Sequence, residues 1–301
     1  MTEISELQQQ TDEWLAFRSS KIGSSDACII MGTVDWSTPR KLWEEKLGLS
    51  RKRMGKNLAT ELGNNFEPVA RALYELESGL DYEPKIMVSN RYSFMIASLD
   101  GYNEETNSIL EIKCVQSDVF AEAKAGRVHP KYIPQLQHQL FCAKADYLIF
   151  FVAKLEQRQF SREWFIAETA VVKVLPDKEY IKELLIQELG FWGFMASKVP
   201  PPLTERDALK VNDEESVRLF ERLAKAKEES TAKFKLVKEE VIEFVEAVLK
   251  HNKIECGDYS FSKNKNGSWV FRTLSAELPL VNASSAFLSI TGGGSAEGQS
   301  A

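Results

Sequence analysis

Two short apolar stretches, Ile96-Ala97-Ser98-Leu99-Asp100-Gly101 and Leu110-Glu111-Ile112-Lys113-Cys114, restrict this chain more than any other part of it. Both read as strands, and strand side chains alternate between two faces. That alternation lets Asp100, Glu111 and Lys113 converge while Leu99, Leu110, Ile112 and Cys114 turn toward a core. A polar turn separates the stretches, so the 11-residue step from Asp100 to Glu111 fits a hairpin. Unpaired charge on the buried flank of an apolar strand costs on the order of several kcal/mol. A divalent cation is one compensator, because carboxylate oxygens suit hard ions such as Mg2+ or Mn2+. The plain alternative is a solvated hairpin whose Glu-x-Lys pair is a surface salt bridge.

The flanking sequence supplies helices and further strands. Thr11 is placed to cap a helix bearing Trp14 and Phe17 on one face, with Arg18 at its end. Ile22-Gly23-Ser24-Ser25-Asp26 then leads into Ala27 to Met31, a short helix expected to be capped by a serine; hydroxyls and an arginine beside free N–H groups form either an ordinary cap or a phosphate cradle. Thr38-Pro39 starts a helix ending at Gly48, followed by the basic run Arg51-Lys52-Arg53 with Lys56. Gly63 to Gly79 reads as a helix, with a start or kink at Glu67 because Pro68 follows it. Glu67 and Arg71 are spaced as an i, i+4 pair.

Ser117 is expected to open a helix to Gly126, and Tyr132 to Ala145 a second one bearing Gln135, Gln137 and Gln139. Tyr147 to Val152 reads as a central strand and Trp164 to Val172 as another, followed by a helix from Asp177 to about Ser197. Strands with helices before and after them predict an α/β fold, a mixed central sheet covered on both faces.

Pro200-Pro201-Pro202 is a stiff break. Three regions are therefore expected: a main domain over 1–199, a C-terminal extension over 200–290, and a disordered Gly/Ser-rich tail over 291–301. The extension reads as one long helix from Asn212 to about His251 with an apolar stripe, then a hairpin from Tyr259 to Thr273 turning at Asn264-Lys265-Asn266-Gly267. Four widely spaced cysteines, Cys28, Cys114, Cys142 and Cys256, indicate neither a zinc knuckle nor a disulfide framework. The longest apolar run is too short to span a bilayer, so no membrane association and a cytoplasmic location are expected. A net charge of −6 argues against a DNA-coating protein but leaves room for a local basic groove. No GxxxxGKS loop is present, so ATP-driven chemistry is not expected.

The order Asp, then Glu-x-Lys, resembles the PD-(D/E)XK nuclease motif, with Leu99 where that motif has proline. The segments Trp14 to Arg18, Ile22 to Ala27, Gly63 to Ala70 and Tyr132 to Gln137 are similar, in order and spacing, to the YqaJ and lambda-exonuclease branch, the phage recombination exonucleases; the likeness runs from about residue 11 to 195. The resemblance implies a PD-(D/E)XK core and a Mg2+-dependent exonuclease, with Mn2+ able to substitute, that degrades one strand of double-stranded DNA 5′ to 3′ from its ends. It implies Asp100, Glu111, the Ile112 carbonyl and Glu67 as metal ligands, Lys113 and Gln135 at the catalytic centre, and Arg18 and Ser25 on the 5′-phosphate. Ser24, Arg51, Arg53 and Tyr132 are expected as further DNA contacts. A ring-shaped homotrimer, a single-strand annealing protein as partner, and a phage or prophage origin are implied as well. An endonuclease of the same superfamily and a non-catalytic DNA-end-binding protein are the rival readings. A Cas4-like enzyme would need clustered C-terminal cysteines, and Cys256 stands alone there.

Overall fold

The computed structural model describes residues 2–3, 11–50, 58–116 and 118–274. The run Arg51 to Lys56, Ser117 and the tail expected over 291–301 lie outside the described residues.

The chain forms two compact units, one made of residues up to Leu47 together with those up to Pro201, the other of Gly48–Ser50 with residues from Pro202 onward. In chain order the first contains β1 (Thr2–Glu3), α1 (Asp12–Ser19), β2 (Ile22–Gly23), α2 (Ser24–Ile30), α3 (Pro39–Lys46), α4 (Leu58–Ser78), β3 (Glu83–Val88), β4 (Met95–Asn103), β5 (Ser108–Val115), α5 (Asp118–Lys124), α6 (Ile133–Ala143), β6 (Tyr147–Gln157), β7 (Trp164–Val174) and α7 (Lys178–Ser197). Its sheet has the order β1-β3-β4-β5-β6-β7, with β2 also paired to β4. The β5–β6 and β2–β4 pairings are parallel and the rest antiparallel, so the mixed α/β expectation holds.

Both faces of this sheet are covered. Leu99, Ile109, Phe150 and Val152 belong to one core, which also takes in Leu136 and Leu140 of α6. Leu110, Ile112, Ile149 and Phe151 form another with Ala70 of α4, and Cys114 packs against it. The single core expected to receive Leu99, Leu110, Ile112 and Cys114 together is therefore two, because β5 is an interior strand whose alternate residues serve opposite layers.

The β4–β5 hairpin is shorter than its strands. Its ladder holds only Gly101↔Leu110, Tyr102↔Ile109 and Asn103↔Ser108, whereas β5 pairs with β6 from Ser108 to Val115. On the other side of β4 the register shifts: Leu99 pairs with Lys85 but Tyr102 with Glu83, so Asp100 and Gly101 both stand opposite Pro84. Two residues against one is a β-bulge, which bends a strand and re-aims its side chains. Proline suits the opposing position because it has no N–H to leave unpaired. Bulge and short ladder together splay β4 from β5 at Asp100.

Several local readings change. A Cβ on Gly23 would face Arg18 and Asp26, and the Asp26 carboxylate in the first turn of α2 accepts from the Gly23 N–H at 2.8 Å, so Gly23 rather than a serine is the N-cap of this helix. Helix α4 runs through Pro68 instead of starting near it. Asn64, whose carbonyl loses its helical partner there, and Pro68 are both exposed, so water can satisfy the carbonyl.

The second unit contains β8 (Leu209–Lys210), α8 (Glu214–Glu229), α9 (Thr231–Phe244), a π-helical turn (Val245–Leu249), β9 (Lys253–Cys256), β10 (Tyr259–Lys263) and β11 (Trp269–Thr273). The single long helix expected here is two. Ser230 adopts φ −168° and ψ 153°, ends α8, and caps α9 by accepting from the Lys233 N–H at 3.2 Å. Folding back lets Leu219, Phe220, Leu223, Val241 and Val245 pack on Ile254, Phe261 and Trp269 of the unit's own sheet. The β10–β11 hairpin lies where expected, with Gly267 at φ +78°.

Candidate active site

Glu111 on β5 is buried, 1% exposed, and its carboxylate is gripped from three directions. The Lys113 ammonium donates to Oε1, the Gln135 amide donates to Oε1 at 2.5 Å, and the Gln139 amide donates to Oε2 at 2.6 Å. Asp100 stands on the bulge across the split, and its Oδ2 accepts the backbone N–H of Ile112 at 2.8 Å. A side chain thus replaces the ladder bond that β4 no longer offers to β5. Asp100, Glu111 and Lys113 are therefore brought together as their spacing predicts, and Ile112 and Gln135, which the resemblance places with them, lie there too.

The electrostatics follow from crowding. Burial raises the Asp100 pKa well above the ordinary aspartate value, and the neighbouring Glu111 and Glu67 carboxylates add to the rise against Lys113. Burial opposes the Lys113 ammonium, yet Glu111 and Asp100 outweigh it and hold its pKa above the usual lysine range. Tyr132 lies 5.4 Å from Lys113 as a cation–π partner and 5.6 Å from Phe150. Glu67 is partly buried and tied to Arg71 at 3.2 Å; burial raises its pKa despite that arginine, with Glu111 contributing. It is electrically coupled to the cluster but hydrogen-bonded to its own helix.

Hard-cation binding can be tested on this donor set. A carboxylate offers about four lone-pair sites. On Glu111 two donors occupy Oε1 and one occupies Oε2, which leaves a site on Oε2; among the described residues Asp100 has only the Ile112 N–H. Both carboxylates can still take a cation. Two carboxylates with open lone pairs suit a hard divalent cation whose other ligands are waters and substrate oxygens.

A second cluster lies at α1 and α2. The Arg18 guanidinium donates to the Ser25 hydroxyl, lies 3.7 Å from Asp26, and covers the Trp14 ring at 5.2 Å. Lys46 of α3 meets Asp26 at 2.7 Å and also donates to the carbonyls of Arg18 and Lys21. Burial works to raise the Asp26 pKa, but Lys46 and Arg18 prevail and hold it below the ordinary value. Ser25 is exposed and sits beside Arg18 as expected, while Ser24, expected as a DNA contact, is buried within the first turn of α2. Helix α2 packs on α6, and burial there pushes the Cys28 thiol pKa up to about 11. No disulfide forms among the cysteines.

Sequence reasoning missed Lys46, His138, Gln139 and Glu188. A glutamine-rich helix face is commonly exposed, whereas Gln137 and Gln139 of α6 are buried. The available signal was Gln135, His138 and Gln139 at i, i+3 and i+4 on a helix otherwise lined with Leu136, Leu140 and Cys142.

Residues 13–146, which include every side chain of both clusters, match the family model of a YqaJ-like viral recombinase domain. The uncharacterized protein YqaJ of Bacillus subtilis strain 168 is 27% identical over 274 residues, spanning 86% of this chain and 82% of that protein. The crystal structure of LHK-Exo, an alkaline exonuclease from Laribacter hongkongensis, aligns with a TM-score of 0.51 at 24% identity, covering 62% of this chain and 94% of that one; that enzyme has also been solved in complex with dAMP. No described helix is long and apolar enough to cross a membrane. Over residues 13–146 the chain is therefore similar to a YqaJ-like viral recombinase domain, on a mixed α/β fold that it shares with an alkaline exonuclease.

Proposed function

We propose that this protein is a metal-dependent exonuclease that degrades one strand of double-stranded DNA 5′ to 3′ from its ends, in recombination of the phage type. The observation that carries the reading is the pairing of Asp100 and Glu111 across a split sheet, with Lys113 beside them and open lone pairs on both carboxylates. Support also comes from the recombinase-domain match, which spans all the residues involved.

Asp100, Glu111 and the Ile112 carbonyl would hold Mg2+, or Mn2+ in its place, with Glu67 acting through water because Arg71 already engages it. A bound ion of this kind polarises the phosphodiester, lowers the pKa of the attacking water and neutralises the departing 3′-oxyanion. The chain's own groups do the positioning. Lys113, whose ammonium Glu111 and Asp100 hold in place, would position or deprotonate the attacking water from Nζ. Gln135 fixes Glu111, and Tyr132 shields Lys113. Arg18 and Ser25 would receive the 5′-phosphate, with Lys46 holding Asp26 and the end of α1 in place behind them. The ring-shaped trimer, the annealing partner and the phage origin rest on family resemblance.

The test is digestion of linear duplex DNA with defined 5′ and 3′ ends, beside covalently closed circles, with and without Mg2+. Mg2+-dependent loss of the 5′-ended strand supports the proposal. Cutting of closed circles would instead identify an endonuclease, and inertness with retained end binding a non-catalytic protein.

A further inference from the structure

We infer that Gln139 is a positioning residue for Glu111, holding its second oxygen in the orientation that accepts a divalent cation, and that His138 and Glu188 fix Gln139 in place. The inference rests on the nuclease reading and goes beyond it to residues that the Asp/Glu-x-Lys pattern does not include.

Glu111 has several side-chain torsions, and its plane decides where the open lone pair of Oε2 points. Gln135 and Gln139, one helical turn apart on α6, each take one of its oxygens, so the helix sets that plane. The same Gln139 amide also lies 3.4 Å from the carbonyl of Ser98 on β4. The helix in turn is pinned to that strand: His138 is fully buried, with Nε2 2.9 Å from the carbonyl of Ile96 and Nδ1 2.7 Å from Glu188 of α7. Ser98 and Ile96 both precede the point where β4 and β5 part, so side chains of α6 pair with β4 carbonyls there. The split that frees Asp100 is thus held open by the element that orients Glu111. Partners that orient a metal ligand in this way commonly change metal affinity by about 10- to 100-fold when removed.

Gln137 provides the control. It is buried on the same helix, but its amide bonds the Leu175 carbonyl at 3.0 Å and the Asp177 N–H at 2.9 Å, away from Glu111. The experiment measures binding of Mn2+ alone to the full chain, as loss of the free-ion electron paramagnetic resonance signal, with Mg2+ as competitor and a thermal melt of each variant. Gln139→Leu, or Gln139→Met where leucine impairs folding, is expected to weaken Mn2+ binding about tenfold or more; Gln137→Leu is expected to lower the melting temperature and leave Mn2+ affinity unchanged. Wild-type affinity in a folded Gln139 variant, or equal loss in both variants, overturns the inference while the nuclease reading stands. A wild-type chain that binds no Mn2+ and does not cut DNA overturns both.

Discussion

Replacing Glu188 with leucine probes the buried pair beneath the site. The His138 and Glu188 side chains are both 0% exposed, and among the described residues Glu188 is the carboxylate that the His138 ring meets by hydrogen bond. Nε2 faces a carbonyl, which only accepts, so it carries a proton; a second proton on Nδ1 makes the ring a cation facing Glu188. Burial works to lower the His138 pKa, yet Cys142 and Glu188 drive it well above the ordinary histidine value. Removing one partner of a buried pair costs about 3–5 kcal/mol, because the other charge is left without compensation. For a unit of this size each kcal/mol moves the melting temperature by about 2–4 °C, so Glu188→Leu should lower it by roughly 6–20 °C. The double variant His138→Leu/Glu188→Leu should be more stable than Glu188→Leu, losing chiefly the bond to Ile96, about 1–3 kcal/mol. The folded pKa of His138 is raised, so its stabilisation is complete below the unfolded value of about 6.5 and is lost as pH rises through the folded pKa. The wild type should therefore lose more stability than the double variant between pH 6 and pH 9. Scanning calorimetry of the three proteins at both pH values provides the measurement. A drop under about 2 °C for Glu188→Leu at pH 6, or a double variant weaker than the single one, would refute the reasoning.

Three further outcomes are expected. Lys113→Ala should reduce turnover by about 10²- to 10⁴-fold while DNA and Mg2+ still bind; single-turnover kinetics with a binding assay would expose an error if full activity remained. Arg18→Ala should weaken use of 5′-phosphorylated ends by about 10- to 100-fold, the equivalent of a charged hydrogen bond, with little effect on 5′-hydroxyl ends, read from kcat/KM on the two substrates. At Gly101 a Cβ would lie 2.7 Å from the Tyr82 Cβ and 3.3 Å from the Leu110 Cβ. Neither is the end of a flexible side chain, so Gly101→Ala should cost about 1–3 kcal/mol in denaturant unfolding and displace Asp100 enough to lower activity.

The alternation of charge and aliphatic residues around Asp100, Glu111 and Lys113 was readable without coordinates, because strand geometry ties sequence spacing to a shared face. Caps were readable for the same local reason: Thr11, Thr38 and Asp177 each accept an N–H within their own helix's first turn. The rest depends on groups that meet only through folding. Nothing in Pro84 announces that Asp100 and Gly101 will bulge opposite it, since a bulge is a property of two strands in register. Ser230 looks like one polar residue in a long amphipathic stretch until the sheet of its own unit rewards a bend there. Whether a glutamine on α6 faces water or Glu111, and whether His138 meets a carboxylate 50 residues away, is decided by how a helix crosses a split sheet. Sequence by itself determined which side chains could do chemistry; the tertiary structure decided what holds them, because long-range partners are selected by packing rather than by spacing.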